Sequence, residues 1–144
     1  MKWIQKHTIQ ITECISLTFI LLFVYAAASK LFDYHKFRAQ LMQSELLAPY
    51  ANILVWMIPL LELGIAILLL FPKLRLQALT FSVILMISFT IYIWYILKYS
   101  DHIPCSCGGI INTLSWTEHL FFNLMLILLA IIGTKLSIHI KHTT

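Results

Sequence analysis

LQALTFSVILMISFTIYIWYIL, residues 76–97, carries no charged side chain. A helix needs roughly 20 mostly apolar residues to cross the hydrocarbon core of a bilayer, and this run supplies them. Working outward, Pro72 to Arg75 forms a tight polar turn before it, and an equally apolar run, residues 51–71, precedes the turn. So short a connection makes those two spans antiparallel neighbours. Two further runs qualify: residues 9–29, with Glu13 near the start, and residues 119–134. The expectation is an all-α membrane protein: a bundle of four transmembrane helices forming one domain over residues 1–144.

Composition agrees. The 144 residues are 60% hydrophobic and 11% charged, with a mean hydropathy of +0.88. A soluble domain of this length carries about a quarter charged residues. The net charge of +4 does not point to nucleic acid, because the ten Lys and Arg flank the apolar runs and no nucleic-acid-binding motif is present. The partner implied by composition is the lipid bilayer. A competing reading takes Lys2, Lys6 and Ala26-Ala27-Ala28 as a cleavable signal peptide. Glu13 interrupts its apolar region early, and cleavage would leave only three spans.

Four spans put both termini on one side. Lys2, Lys6, Lys73, Arg75, Lys135 and Lys141 share that side, against Lys30, Lys36, Arg38 and Lys98 on the other. The bias predicts cytoplasmic termini. Trp56, Trp94, Tyr99 and Trp116 then fall near the outer ends of their spans, and Trp3 near the inner surface, as an aromatic belt requires. In the first outer loop, Phe37, Leu41, Leu46 and Leu47 alternate with Arg38, Gln40, Gln43 and Glu45. This amphipathic pattern predicts a short interfacial helix.

The second outer loop holds Pro104-Cys105-Ser106-Cys107-Gly108-Gly109, with two of the three cysteines. Pro104 fixes one backbone dihedral, and Gly108 and Gly109 permit a sharp bend on the other side. Three readings of the pair are open. A disulfide between residues so close in sequence is strained and readily exchanged, which suits redox work on an oxidising face. Alternatively, Cys105 and Cys107 hold a soft metal together with His102 or His119. In the third, they are two unreacted thiols in a bend. Cys14, near the other end of span one, is read as a packing residue.

Ser115, His119 and Asn123 share one helix face just after this loop. His119 either stabilises or protonates a nearby thiolate, or merely hydrogen-bonds Glu118 or a neighbouring span. Asn123 is read as an interhelical hydrogen-bonder. Glu62 is a carboxylate in mid-span, three residues after Pro59. Such groups face the bundle interior, and several roles are open: a proton relay, a contact to a quinone carbonyl, satisfaction of groups freed by Pro59, or pairing with a cation from another span. Lys30 and Asp33, at the end of span one, are spaced to pair with each other, with Lys30 snorkelling outward. Ser88, Tyr92, Tyr95 and Tyr99 form a stripe at helical spacing, read as packing.

Lys30-Leu31-x-Asp33, Pro59-x-x-Glu62, and Pro104-Cys-Ser-Cys-Gly-Gly109 followed by Trp116, His119 and Asn123 together resemble the MauE/DoxX family of small four-span bacterial membrane proteins. The resemblance covers nearly the whole chain. It implies a redox-associated bundle in the bacterial inner membrane, related in plan to disulfide-forming membrane oxidoreductases. It further implies Cys105 and Cys107 as the redox pair, with Glu62, His119 and Asn123 lining the bundle beneath them. A thioredoxin-like periplasmic protein or a client thiol protein is the implied partner, and a quinone a possible acceptor. The chain departs from the better-known membrane disulfide oxidoreductases in lacking a second outer cysteine pair, so a shuttle must come from a separate protein.

The function expected is thus thiol–disulfide relay. The alternatives are a copper- or zinc-handling protein, and a non-catalytic membrane anchor of an oxidoreductase complex.

Overall fold

Pro72 sets a sharp corner between two of the helices. The residue before a proline is driven out of the helical region, and Phe71 accordingly is extended at φ −95°, ψ 113°, ending its helix. A single turn, closed by the Leu74 amide donating to Phe71 O at 3.0 Å, starts the next helix in the opposite direction. The computed structural model describes residues 2–99 and 115–143. In these the regular elements are α1 (Lys2–Phe32), α2 (Tyr34–Gln43), a 3-10 turn (Ala48–Tyr50), α3 (Ala51–Leu70), α4 (Arg75–Tyr99) and α5 (Trp116–Thr143).

Four of the helices, α1, α3, α4 and α5, are long and apolar enough to cross a membrane. The protein is therefore an all-α, multi-pass membrane protein. Two helices run well past the apolar runs that announced them. α1 begins before residue 9, and α5 continues past residue 134. Polarity marks where a helix leaves hydrocarbon, not where it stops. No Pro or Gly interrupts residues 2–8 or 135–143, so the backbone hydrogen bonding simply continues.

α1 packs chiefly on α3 and α4 on α5, while α1–α5 and α3–α4 contacts complete the four-helix bundle. The core contains Ile15, Phe19 and Phe23 of α1, Ile65 and Leu69 of α3, Leu79 and Met86 of α4, and Leu126 of α5. Ala66, Ala78 and Ala130 lie among them, at most 2% exposed, and let the backbones approach closely, as helix association in lipid requires. Gly133 is the tightest point: a Cβ there would lie 3.0 Å from Ile15 Cγ2 and 3.4 Å from Leu79 Cδ1. Gly133→Val should overpack this junction and cost about 1–3 kcal/mol, measured by reversible unfolding in mixed micelles.

Three buried hydroxyls are satisfied within their own helices, because lipid offers no hydrogen bonds. Thr12 donates to Thr8 O at 2.8 Å, Ser16 to Thr12 O at 2.8 Å and Ser82 to Ala78 O at 2.9 Å.

Two packing expectations are corrected. Cys14 is exposed on the outside of α1, because residues 12, 15, 16 and 19 occupy its inward face. Of the stripe Ser88, Tyr92, Tyr95 and Tyr99, only Tyr92 is half-buried, and the other three lie on the outside of the bundle. Ile93 and Ile96 take the buried positions, while Tyr95 and Tyr99 stack on each other outside, ring centroids 5.5 Å apart.

The short helix expected in the first outer loop is α2. It follows α1 after one non-helical residue, Asp33. Leu41 is its buried residue and packs with Ala51 and Val55, forming a small second core on the first turns of α3, flanked by Tyr34, Phe37, Leu47 and Leu54. Arg38 Nε donates to Asn52 Oδ1 at 2.9 Å. Ser44, just past α2, is buried and shares a side-chain hydrogen bond with the Tyr92 hydroxyl of α4.

Candidate functional site

Glu62 lies on the buried face of α3 with Val55, Pro59, Ala66 and Leu69. It is 1% exposed, so its carboxylate has no access to water. Its partner comes from another span: Lys30 Nζ donates to Glu62 Oε1 at 2.7 Å. This is one of the roles left open for Glu62 by sequence, and it corrects the reading of Lys30. Lys30 does not reach outward, nor does it pair with Asp33. It folds back along its own helix, donating also to Ala26 O at 3.3 Å. Helical side chains lean toward the N-terminus, and here that lean carries the ammonium inward toward Glu62. The Phe37 ring of α2 lies 5.9 Å from Nζ, a cation–π contact that covers the ammonium.

The pair is incompletely satisfied. Glu62 Oε2 is buried and has no hydrogen-bond partner among the described residues. An ionised buried carboxylate needs both coulombic and hydrogen-bond compensation, and here one oxygen of two has it.

α5 contributes the other polar residues at this end of the bundle. Asn123 is 4% exposed on its inward face. His119, one turn nearer the helix start, is half-buried and close enough to feel the Lys30 charge. α1 packs against both α3 and α5, so Lys30 on it pairs with Glu62 of α3 and faces His119 near the start of α5. Asp33 serves as the break between α1 and α2 instead of as a charge partner.

The start of α5 is fixed by a reciprocal cap. Ser115 N donates to Glu118 Oε2 at 2.7 Å, the Ser115 hydroxyl to the same oxygen at 3.0 Å, and Glu118 N returns to Ser115 Oγ at 3.3 Å. Ser115-Trp116-Thr117-Glu118 is the capping-box pattern, legible in sequence but overlooked there. It explains why Glu118 is not the partner of His119: its carboxylate is committed to the helix start. Ser115→Ala should remove about 1 kcal/mol of stability, seen in reversible unfolding as fraying of α5.

Pro104, Cys105, Cys107, Gly108, Gly109 and His102 lie outside the described residues. Among the described residues, no three His, Cys, Asp or Glu side chains converge as metal ligands. Three of the four candidate ligands of the metal reading fall outside that set.

The family described as methylamine utilisation protein MauE matches residues 8–136. This chain belongs to the MauE family. No curated protein and no solved structure matches the chain. Membership accords with a membrane protein associated with redox chemistry in general terms.

In this MauE-family protein the matched region takes in α3 and α4 whole, most of α1 and α5, the Lys30–Glu62 pair and the cysteine-bearing stretch of sequence. What the sequence left unassigned is the partner of Glu62, because along the chain Lys30 reads as pairing with Asp33. The signal for the long-range pair was present: two opposite charges, each in a segment that must cross hydrocarbon, are each expensive until they meet.

Proposed function

We propose that this MauE-family protein relays electrons by thiol–disulfide exchange through Cys105 and Cys107, facing the periplasm from the bacterial inner membrane, with both termini cytoplasmic. The observation that supports it best is the buried Lys30–Glu62 pair with His119 close to Lys30, on the first turn of α5 and so directly after the cysteine loop in sequence. A membrane anchor without chemistry of its own has no need of a buried, half-satisfied ion pair.

In this mechanism a thiolate of a thioredoxin-like or client protein attacks one sulfur of the Cys105–Cys107 disulfide and forms a mixed disulfide. The partner's second thiolate then attacks its own sulfur in that bond, releasing the partner oxidised and leaving Cys105 and Cys107 reduced. Two electrons and two protons pass to this chain, and a two-electron acceptor such as a membrane quinone takes them on. His119 holds or delivers a proton at the rim. The absence of a second outer cysteine pair makes the soluble partner obligatory.

Trapping tests the relay. In a Cys107→Ser variant the Cys105 thiolate can attack the disulfide of the oxidised partner, releasing the partner's other sulfur as a thiolate, and the resulting mixed disulfide should accumulate, visible on non-reducing gels. Neither single variant forming an adduct would refute it. Stoichiometric copper or zinc, retained under reducing purification and lost in the double-serine variant, would establish the metal-handling alternative instead.

A further inference from the structure

Glu62 Oε2 is a buried acceptor with no donor, and its surroundings define what would supply one. We infer that Glu62 and Lys30 form the seat of a hydroxyl-bearing, apolar-bodied ligand of the phenol or hydroquinone class, independent of the cysteine pair. Four observations carry this.

First, the carboxylate is 1% exposed, with Oε1 taken by Lys30 at 2.7 Å and Oε2 unpartnered. A buried polar oxygen left without a partner in a dry interior is held at a cost, and a hydroxyl bonded to it removes that cost. Second, Lys30 Nζ commits two of its three hydrogens, to Glu62 Oε1 and Ala26 O, so a ligand oxygen at the same place finds a donor as well. A hydroxyl is the small group that donates and accepts at one atom. Third, the residues sharing the buried face of α3 with Glu62 are Val55, Pro59, Ala66 and Leu69. A ligand head placed here must carry an apolar body, which excludes sugars, nucleotides and free amino acids. Fourth, the cover over the pair is a separable element. α2 joins α1 through the single non-helical residue Asp33, packs in its own small core around Leu41, and lays Phe37 over Lys30. Arg38–Asn52 at 2.9 Å, on the surface, and Ser44–Tyr92 hold its far end. The small core that seats α2 shares no residue with the main core.

The test uses purified full-length protein in detergent with 4-hexylphenol and its methyl ether, 4-hexylanisole. The two share an apolar body, and only the phenol donates a hydrogen bond. Saturation-transfer NMR titrations at equal micellar concentration read the site above simple partitioning. The phenol should bind saturably, on the order of tenfold tighter than the ether, as expected for a hydrogen bond that satisfies a buried, unpartnered oxygen. Glu62→Gln, which replaces an acceptor oxygen by a donor amide, should abolish the preference. The Cys105→Ser/Cys107→Ser variant should keep it, so loss of the relay and loss of this seat are read separately. Equal binding of phenol and ether by the unaltered protein would overturn the inference, and that comparison needs no variant to fold. Retention of the preference in a folded Glu62→Gln variant, verified by circular dichroism and gel filtration, would overturn it equally.

Discussion

Lys30→Met should destabilise the bundle by about 3–5 kcal/mol, the cost of leaving a buried charge without its partner. Glu62 is the reason. At 1% exposure it cannot turn to water when the ammonium is removed, and no other cation lies within ion-pair distance of it among the described residues. The reverse change is milder. With Glu62→Leu, the Lys30 side chain, already 23% exposed, can swing outward to the headgroup region. The paired replacement, Lys30→Met with Glu62→Leu, should return stability to wild type or above it, since well-packed apolar residues match or exceed a buried ion pair. Reversible unfolding of all four proteins in mixed micelles gives the coupling energy directly. Simple additivity of the single costs would show that the 2.7 Å contact does not hold α1 to α3.

Cys105→Ser and Cys107→Ser should each abolish client oxidation, down to the rate of cells lacking the protein, and the double variant should be no worse than either single one. Residues that act as one unit are non-additive, because losing either half of a disulfide loses the whole. The measurement is the fraction of a periplasmic dithiol protein recovered oxidised from intact cells. Unfolding midpoints should change little between these variants, because a small strained ring contributes little as a staple. Full client oxidation in the double-serine variant would instead establish the non-catalytic anchor.

Much of this protein was legible along the chain. The run at residues 76–97 has one physical solution, since an uncharged stretch of that length in lipid must satisfy every backbone amide internally. The helix ends were less legible. Polar residues at 2–8 and 135–143 read as flanks, yet nothing in them breaks a helix, and α1 and α5 run through them. The corner at Phe71 was fixed by Pro72, and the start of α5 by Ser115 and Glu118, both local devices that act without any tertiary contact.

The polar site divides differently. Sequence alone determined that Glu62 is costly in mid-span and faces inward, because a carboxylate in hydrocarbon has no other tolerable position. It did not determine what Glu62 meets. Lys30 and Asp33 stand three residues apart on one helix end, an ordinary local pair, whereas Lys30 and Glu62 are separated by 32 positions. Only the packing of α1 against α3 brings those two charges to 2.7 Å, and only the inward lean of the Lys30 side chain makes the long-range pair win. Likewise, whether Cys14 or Ile15 faces the core depends on the rotation of α1 in the bundle, which hydrophobicity does not set when nearly every position is apolar.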